Sequence, residues 1–236
     1  SANVLNQIFE IETDRLMERT ANRPLVTGEI NKKSAYVYST SLGLVGFLVL
    51  YTQTTELAAL IALSANIFYS FIYTLVLKPR TNQNIVIGGA AGAAPVLIGW
   101  SATGTNLDTG SWLLFLLVFL WTPAHFWALS IDKLNDYKDA NFPMLPTQES
   151  YKRTSIFIGI YSCATVLTSL LLAPILQLGM VYLLLSLIFG LYLMYKSYQL
   201  YRKQIKAISY FVFSNTYLAV IFLSMVADIF ITLSSI

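Results

Sequence analysis

Charge is scarce in this sequence: 11% of its 236 residues are Asp, Glu, Lys or Arg and 56% are hydrophobic, whereas a water-soluble domain carries about a quarter charged residues. A water-soluble fold is excluded on that ground. There is one cysteine, so no intrachain disulfide can form and no metal-binding thiol pattern exists. Cys163 lies inside an apolar run and reads as a buried core thiol. Positive charge is not in large excess either, at +3 net, and the basic residues fall in short loops instead of along one polar face. That pattern excludes nucleic acid as a partner. The first residues show no basic region leading into a short apolar core and a small-residue cleavage site, so no secretory signal peptide is expected. Repeats, low-complexity tracts and interdomain linkers are also missing, and residues 1–236 read as one domain.

What the chain has instead is apolar length. Runs of the roughly 20 residues needed to cross a bilayer occur at about 34–54, 57–77, 84–103, 111–131, 152–174, 178–197 and 208–234. The expected fold class is therefore all-α, a polytopic transmembrane helical bundle with seven complete spans. Residues 1–13, SANVLNQIFEIET, read as the end of another helix, too short to span, whose upstream part precedes Ser1. The abundance of tyrosine, 15 residues, suits helix ends that sit in the headgroup layer, where amphipathic rings are enriched.

Basic residues report orientation, because positively charged loops resist translocation and stay cytoplasmic. Arg15, Arg19, Arg23, Lys32 and Lys33 follow the first segment, and Lys78 and Arg80 join the second and third spans. Lys133, Lys138, Lys152 and Arg153 flank the next such connection, and Lys196, Arg202, Lys203 and Lys206 the last. These are all 15 Lys and Arg of the chain, and the alternate connections have none. The C-terminus is thereby expected on the outer side. The two long cytoplasmic connections, about 15–33 and 132–151, are where function is expected.

Nine of the 12 acidic residues lie on that cytoplasmic side. Glu10, Glu12, Asp14 and Glu18 form one cluster, and Asp132, Asp136 and Asp139 another. Each is read as the C-terminal end of a helix, where the macrodipole disfavours carboxylates and something positive must compensate. Two such clusters suit a divalent cation such as Mg²⁺. Asn6, Glu10 and Asp14 recur every four residues, which places them on one helix face with about 40° of drift per step. Asn6 lies about two turns deeper than Asp14, where an amide facing lipid is costly, so it is expected to face the protein. Arg19 and Arg23, Lys78 and Arg80, and Asn84 at the start of the next span offer the donors that a diphosphate needs. Positive-inside topology alone also places basic residues there.

His125, the only histidine, stands in WTPAHFWAL about 16 Å of helix before Asp136, at hydrocarbon depth. An intramembrane imidazole is a functional candidate, although a hydrogen bond to a neighbouring helix is the alternative. Pro123 is expected to kink this span. The run GGAAGAAP is apolar and helical, so Gly88 and Gly92 read as close-packing positions and not as a phosphate loop. Asp228 reads as a snorkelling or structural residue.

The segment NQIFEIETDRLMERTANRPL resembles the first acidic motif of the UbiA-type intramembrane prenyltransferases. WTPAHFWAL, NDYKDANFPMLP and LKPRTNQNIVIGGAAGAAPVLIGW are similar to the haem-farnesylating branch of that family. The resemblance implies a helical bundle around a central cavity with two acidic motifs at its cytoplasmic mouth, in a bacterial plasma membrane. It implies that one helix and the start of a second precede Ser1. It further implies transfer of farnesyl from farnesyl diphosphate to a vinyl group of haem B, giving haem O and diphosphate. Asn6, Glu10, Asp14, Asp136 and Asp132 are then the expected Mg²⁺ ligands, and Arg19, Arg23, Lys78, Arg80 and Asn84 the diphosphate-binding residues. His125 is expected at the haem, and haem A synthase as a protein partner. Two sequence departures stand out: Glu10 replaces the more usual aspartate, and Asp132 is not at a position expected to be acidic. Prenylation of an aromatic quinone precursor keeps the same site with another acceptor. Secondary transport is the reading from a different class, and it is disfavoured because the acids gather at one membrane face and not at midplane.

Overall fold

The computed structural model describes residues 1–234, with side chains described through Ile231. Every regular element among them is helical. Seven are long and apolar enough to cross a bilayer: Lys32–Gln53, Glu56–Leu77, Asn84–Ala102, Thr109–Asp132, Tyr151–Ile175, Met180–Tyr201 and the helix beginning at Ala207. The protein is an integral membrane protein. Each span falls within a few residues of its expected place, because a mean hydropathy over some 20 residues locates a bilayer-crossing helix well and its ends poorly. Packing divides the chain into two compact units, one of Ser1–Leu107 with Lys133–Gln148 and one of Asp108–Asp132 with Glu149 onward.

In the first unit, α1 (Ala2–Phe9) and α2 (Ile11–Asp14) are followed by the short α3 (Pro24–Thr27) and then α4 (Lys32–Gln53). Next come α5 (Glu56–Ile67), its π-helical continuation Phe68–Leu77, and α6 (Asn84–Ala102). The short α8 (Leu134–Asp139) and α9 (Leu145–Gln148) complete the unit. Side-chain caps start two of this unit's spans: Asn31 accepts from the Ser34 amide at 2.8 Å and Thr55 from the Ala58 amide at 3.1 Å, satisfying amides that a helix start leaves unpaired. Helix α1 packs on α4 and on the π-helix, and α5 and the π-helix pack on α6. Val37, Leu44, Val45 and Val49 of α4 remain exposed, as apolar side chains do on a face turned to lipid.

Gly88 is a close-packing position. A Cβ there would lie 2.3 Å from the Tyr73 ring, and that ring is itself stacked on Tyr69 at 5.4 Å. Gly92 corrects the paired expectation, since nothing lies within 4 Å of its would-be Cβ. One helical step of four residues rotates about 40°, enough to leave the contact. Gly88→Ala is expected to lower stability by about 1–3 kcal/mol through overpacking, and Gly92→Ala to leave it nearly unchanged. Melting of the two variants in the same detergent checks the pair.

In the second unit, α7 (Thr109–Asp132), α10 (Tyr151–Ile175), α11 (Met180–Tyr201) and α12 (Ala207–Ser234) pack on one another. Buried tyrosines join three of them. The Tyr182 hydroxyl donates to the Ser169 carbonyl at 2.7 Å, the Tyr217 hydroxyl to Ser169 Oγ at 2.8 Å, and Tyr210 and Ser162 share a hydrogen bond of 2.6 Å. Such bonds hold helices together where apolar contact with lipid is as favourable as contact with another helix. Asp228 of α12 is structural: it is buried and its carboxylate accepts from the Gly179 amide at the start of α11, the end that favours negative charge. Cys163 is exposed, which corrects the expectation of a buried thiol. Outside the helix bundle of a membrane protein lies hydrocarbon, so hydropathy does not separate a core-facing thiol from a lipid-facing one.

Candidate active site

The acidic stripe of the first unit is buried. Asn6, Glu10 and Asp14 are exposed to 7%, 7% and 4%. The helix carrying them is interrupted at Glu10, whose φ of −104° and ψ of 14° divide α1 from α2, yet the Glu10 and Asp14 amides still reach the Asn6 and Glu10 carbonyls at 3.0 and 2.7 Å. The stripe therefore survives the break.

Each member has a partner. Asn6 Nδ2 donates to Thr74 Oγ1 at 3.2 Å. Lys78 Nζ donates to Glu10 Oε2 at 2.6 Å, and Arg23 Nη1 to Asp14 Oδ2 at 2.5 Å. The π-helix aligns the first two contacts. Within it Thr74 Oγ1 donates to the Tyr69 carbonyl, five residues back, at 2.8 Å, and the Lys78 amide likewise reaches the Tyr73 carbonyl at 2.8 Å. A π-turn takes up one residue more than an α-turn and so rotates the residues after it, of which Lys78 is the first. The Lys78 ammonium also lies 4.5 Å from the centre of the Phe142 ring, a favourable cation–π contact. Its carbonyl accepts from Asn84 Nδ2 at 3.3 Å.

Two buried oxygens in this unit have no hydrogen-bond partner, Glu10 Oε1 and Asn84 Oδ1. A buried acceptor left unmet costs about 1–3 kcal/mol, so both are suited to a ligand. Among the described residues no three His, Cys, Asp or Glu side chains converge. That arrangement is compatible with Mg²⁺, which is held by one or two carboxylates together with substrate phosphates and water and not by an all-protein cage.

The other expected residues are placed less closely. Arg19 and Arg80 are exposed. Asp136 is half-buried and lies in the first turn of α8. That corrects the expected C-terminal setting, because α8 starts at Leu134 as a separate helix, and the N-terminal end of a helix favours a carboxylate. Glu12 and Asp14 likewise fall in the first turn of α2. Asp132, exposed, ends α7 in the second unit. Thr74 and Phe142 were not among the sequence candidates. One threonine in an apolar run and one phenylalanine in a loop carry no signal of their own.

His125 belongs to the second unit. Its Nδ1 is 2.7 Å from Ser214 Oγ, so the alternative of a hydrogen bond to a neighbouring helix is realised. The imidazole stacks between the rings of Trp121 at 4.1 Å and Phe211 at 4.2 Å. Trp121 Nε1 donates to the Ser214 carbonyl at 2.9 Å. Pro123 is accommodated inside a continuous α7.

A buried Asn/Glu/Asp stripe paired with Lys and Arg, on a bundle of apolar spans, defines a class. The chain belongs to the UbiA prenyltransferase family, whose sequence model matches residues 1–226. Within that family it is similar to protoheme IX farnesyltransferases. It is 42% identical to that of Thermus thermophilus over 97% of this chain and 38% of the relative, and 41% identical to that of Clavibacter sepedonicus over 97% and 76%. The chain thus spans well under half the length of the Thermus relative and about three quarters of the other. The fold is shared with a digeranylgeranylglyceryl phosphate synthase, at 22% identity and a TM-score of 0.77 over 96% of this chain and 80% of that one. It is shared too with a UbiA homologue from Archaeoglobus fulgidus bound to GPP and Mg²⁺, at 17% identity and a TM-score of 0.63 over 95% and 82%.

Proposed function

We propose that this chain carries the prenyl-diphosphate site of a protein that transfers farnesyl from farnesyl diphosphate to a vinyl group of haem B, giving haem O. The observation that carries the reading is the Glu10 carboxylate, buried, with one oxygen on Lys78 and the other without a partner. Identity above 40% to proteins named protoheme IX farnesyltransferase supports the acceptor, and the Archaeoglobus homologue supports a prenyl diphosphate with a divalent cation.

Asn6, Glu10 and Asp14 are the residues to hold Mg²⁺, with Asp136 of the same unit as a further candidate. A cation held there would neutralise diphosphate charge and so make it a better leaving group. Lys78 and Arg23 then exchange a carboxylate oxygen for a phosphate oxygen, while Arg19, Arg80 and Asn84 supply further donors. The allylic carbon–oxygen bond breaks and the diphosphate leaves with the electron pair. The vinyl π electrons form the new carbon–carbon bond, and water quenches the remaining cation with release of a proton. An apolar surrounding keeps water away until then. His125 sits at the porphyrin. The site faces the cytoplasm of a bacterial plasma membrane, and haem A synthase receives the product.

The test is mass spectrometry of haem extracted from membranes that hold the protein at full length, supplied with farnesyl diphosphate. Haem O is expected with Mg²⁺ present and none after chelation. Farnesylation of a hydroxybenzoate or naphthoate acceptor in place of haem B would replace this reading with the quinone-precursor one.

A further inference from the structure

His125, Ser214 and Phe211 form a chain of contacts that determines where the imidazole proton sits. Ser214 Oγ is 2.7 Å from the Phe211 carbonyl and 2.7 Å from His125 Nδ1. A carbonyl has no proton to give, and a hydroxyl has one. If both contacts are hydrogen bonds, the serine proton goes to Phe211 and the second proton must come from His125 Nδ1. One ring nitrogen of a neutral imidazole is a donor and the other an acceptor. Nε2 is then the bare one.

The surroundings decide which part of the ring is left open. Trp121 and Phe211 cover its two faces, with interplanar angles of 19° and 23°, and Ser214 takes the Nδ1 edge. His125 is neither fully buried nor exposed, and with both faces and the Nδ1 edge occupied, the edge that carries Nε2 is the one these contacts leave. The clamp is itself anchored, since Trp121 Nε1 holds the Ser214 carbonyl at 2.9 Å. This is the arrangement by which metal-ligating histidines are oriented: the far ring N–H donates to a fixed acceptor, which sets the tautomer and raises the basicity of the free nitrogen.

We infer that Ser214 is a positioning residue that holds His125 in the Nδ1–H form, so that Nε2 serves as an axial ligand to the iron of a metalloporphyrin substrate. This rests on the proposed haem acceptor and narrows it: His125 offers the porphyrin a lone pair and not a hydrogen-bond donor. An iron held from one side by a ligand whose plane is fixed by two aromatic rings also fixes the tilt of the macrocycle.

¹⁵N-histidine labelling of the protein, carrying a tag without histidine and with the His125 signals identified by their loss in His125→Ala, reports the state of Nδ1 and Nε2. The expected spectrum has a protonated, pyrrole-type Nδ1 and an unprotonated, pyridine-type Nε2. The reverse assignment would overturn the inference. Titration with haem B, in the absence of farnesyl diphosphate, is expected to give the absorption spectrum of an imidazole-ligated haem. His125→Ala should abolish it, with recovery on added imidazole, and a spectrum unchanged in that variant overturns the ligand assignment. Ser214→Ala is expected to weaken haem binding about 10–100-fold and to mix the two tautomers, with Ser214→Thr restoring both readouts. If Ser214→Ala binds haem as the parent does and keeps one tautomer, the positioning role is refuted. Haem ligation without farnesyl transfer would instead refute the proposed reaction and leave this inference standing.

Discussion

Asp14→Ala is expected to reduce farnesyl transfer by at least about a hundredfold, as loss of a preorganised charged group at a leaving-group site does, while the protein still inserts and folds. Asp14 is 4% exposed and receives Arg23 Nη1 at 2.5 Å. Truncation removes one oxygen pair from the stripe and releases one arginine. The structural cost is bounded at about 1.5–3 kcal/mol, the worth of a hydrogen bond to a charged group, because the Arg23 side chain is already 30% exposed and turns to water. The Thr20 hydroxyl bonds the Asp14 carbonyl, a backbone contact that alanine keeps. Initial rates of haem farnesylation and a melting curve on the same preparation separate the two effects. A rate close to that of the parent chain would remove the metal–diphosphate reading.

Lys78 is expected to matter for stability as well as for activity. Lys78→Ala strands the Glu10 carboxylate, 7% exposed, and breaking a buried ion pair by removing one partner costs about 3–5 kcal/mol. It also removes the cation over Phe142. Replacing both partners, Glu10→Gln with Lys78→Met, leaves no uncompensated charge and is expected to recover most of the stability. Activity is not expected to return, since the proposed site uses both the carboxylate and the ammonium to hold the diphosphate. Thermal unfolding and haem farnesylation of the parent, the single variant and the double variant check this. A single variant that melts with the parent would show that the Lys78–Glu10 pair does not support the fold, and an active double variant would take both residues out of the site.

These two residues also illustrate what could be read in the sequence. The repeat of Asn6, Glu10 and Asp14 was legible because helical periodicity is local: four residues make one turn, whatever surrounds them. The burial of all three follows from that stripe and from the cost of turning an amide or a carboxylate to lipid. The pairing of Glu10 with Lys78 was not legible, since it spans 68 residues and depends on a π-helical register for which Phe68–Leu77 gives no sequence signal. Basic residues at 19, 23, 78 and 80 looked alike, all explained by positive-inside topology. Packing separates them, setting Arg23 and Lys78 on carboxylates and leaving Arg19 and Arg80 exposed.

Gly88, Gly92 and Cys163 show the same boundary from the other side. In a soluble domain a small apolar residue in a hydrophobic run is usually interior. In a bilayer both the helix interface and the lipid face are apolar, so composition alone does not separate Gly88, pressed against Tyr73, from Gly92, where an added Cβ would meet nothing within 4 Å.

The sequence by itself determined that this is a membrane protein of seven apolar spans with a carboxylate stripe beside a basic loop, because hydropathy and helical period are properties of short stretches of chain. Only the tertiary structure decided that Lys78 closes on Glu10, and that His125 meets Ser214 across 89 residues between two aromatic rings. Those contacts depend on which helix faces meet, and where lipid solvates apolar faces equally well, close packing and hydrogen bonds between distant residues make that choice.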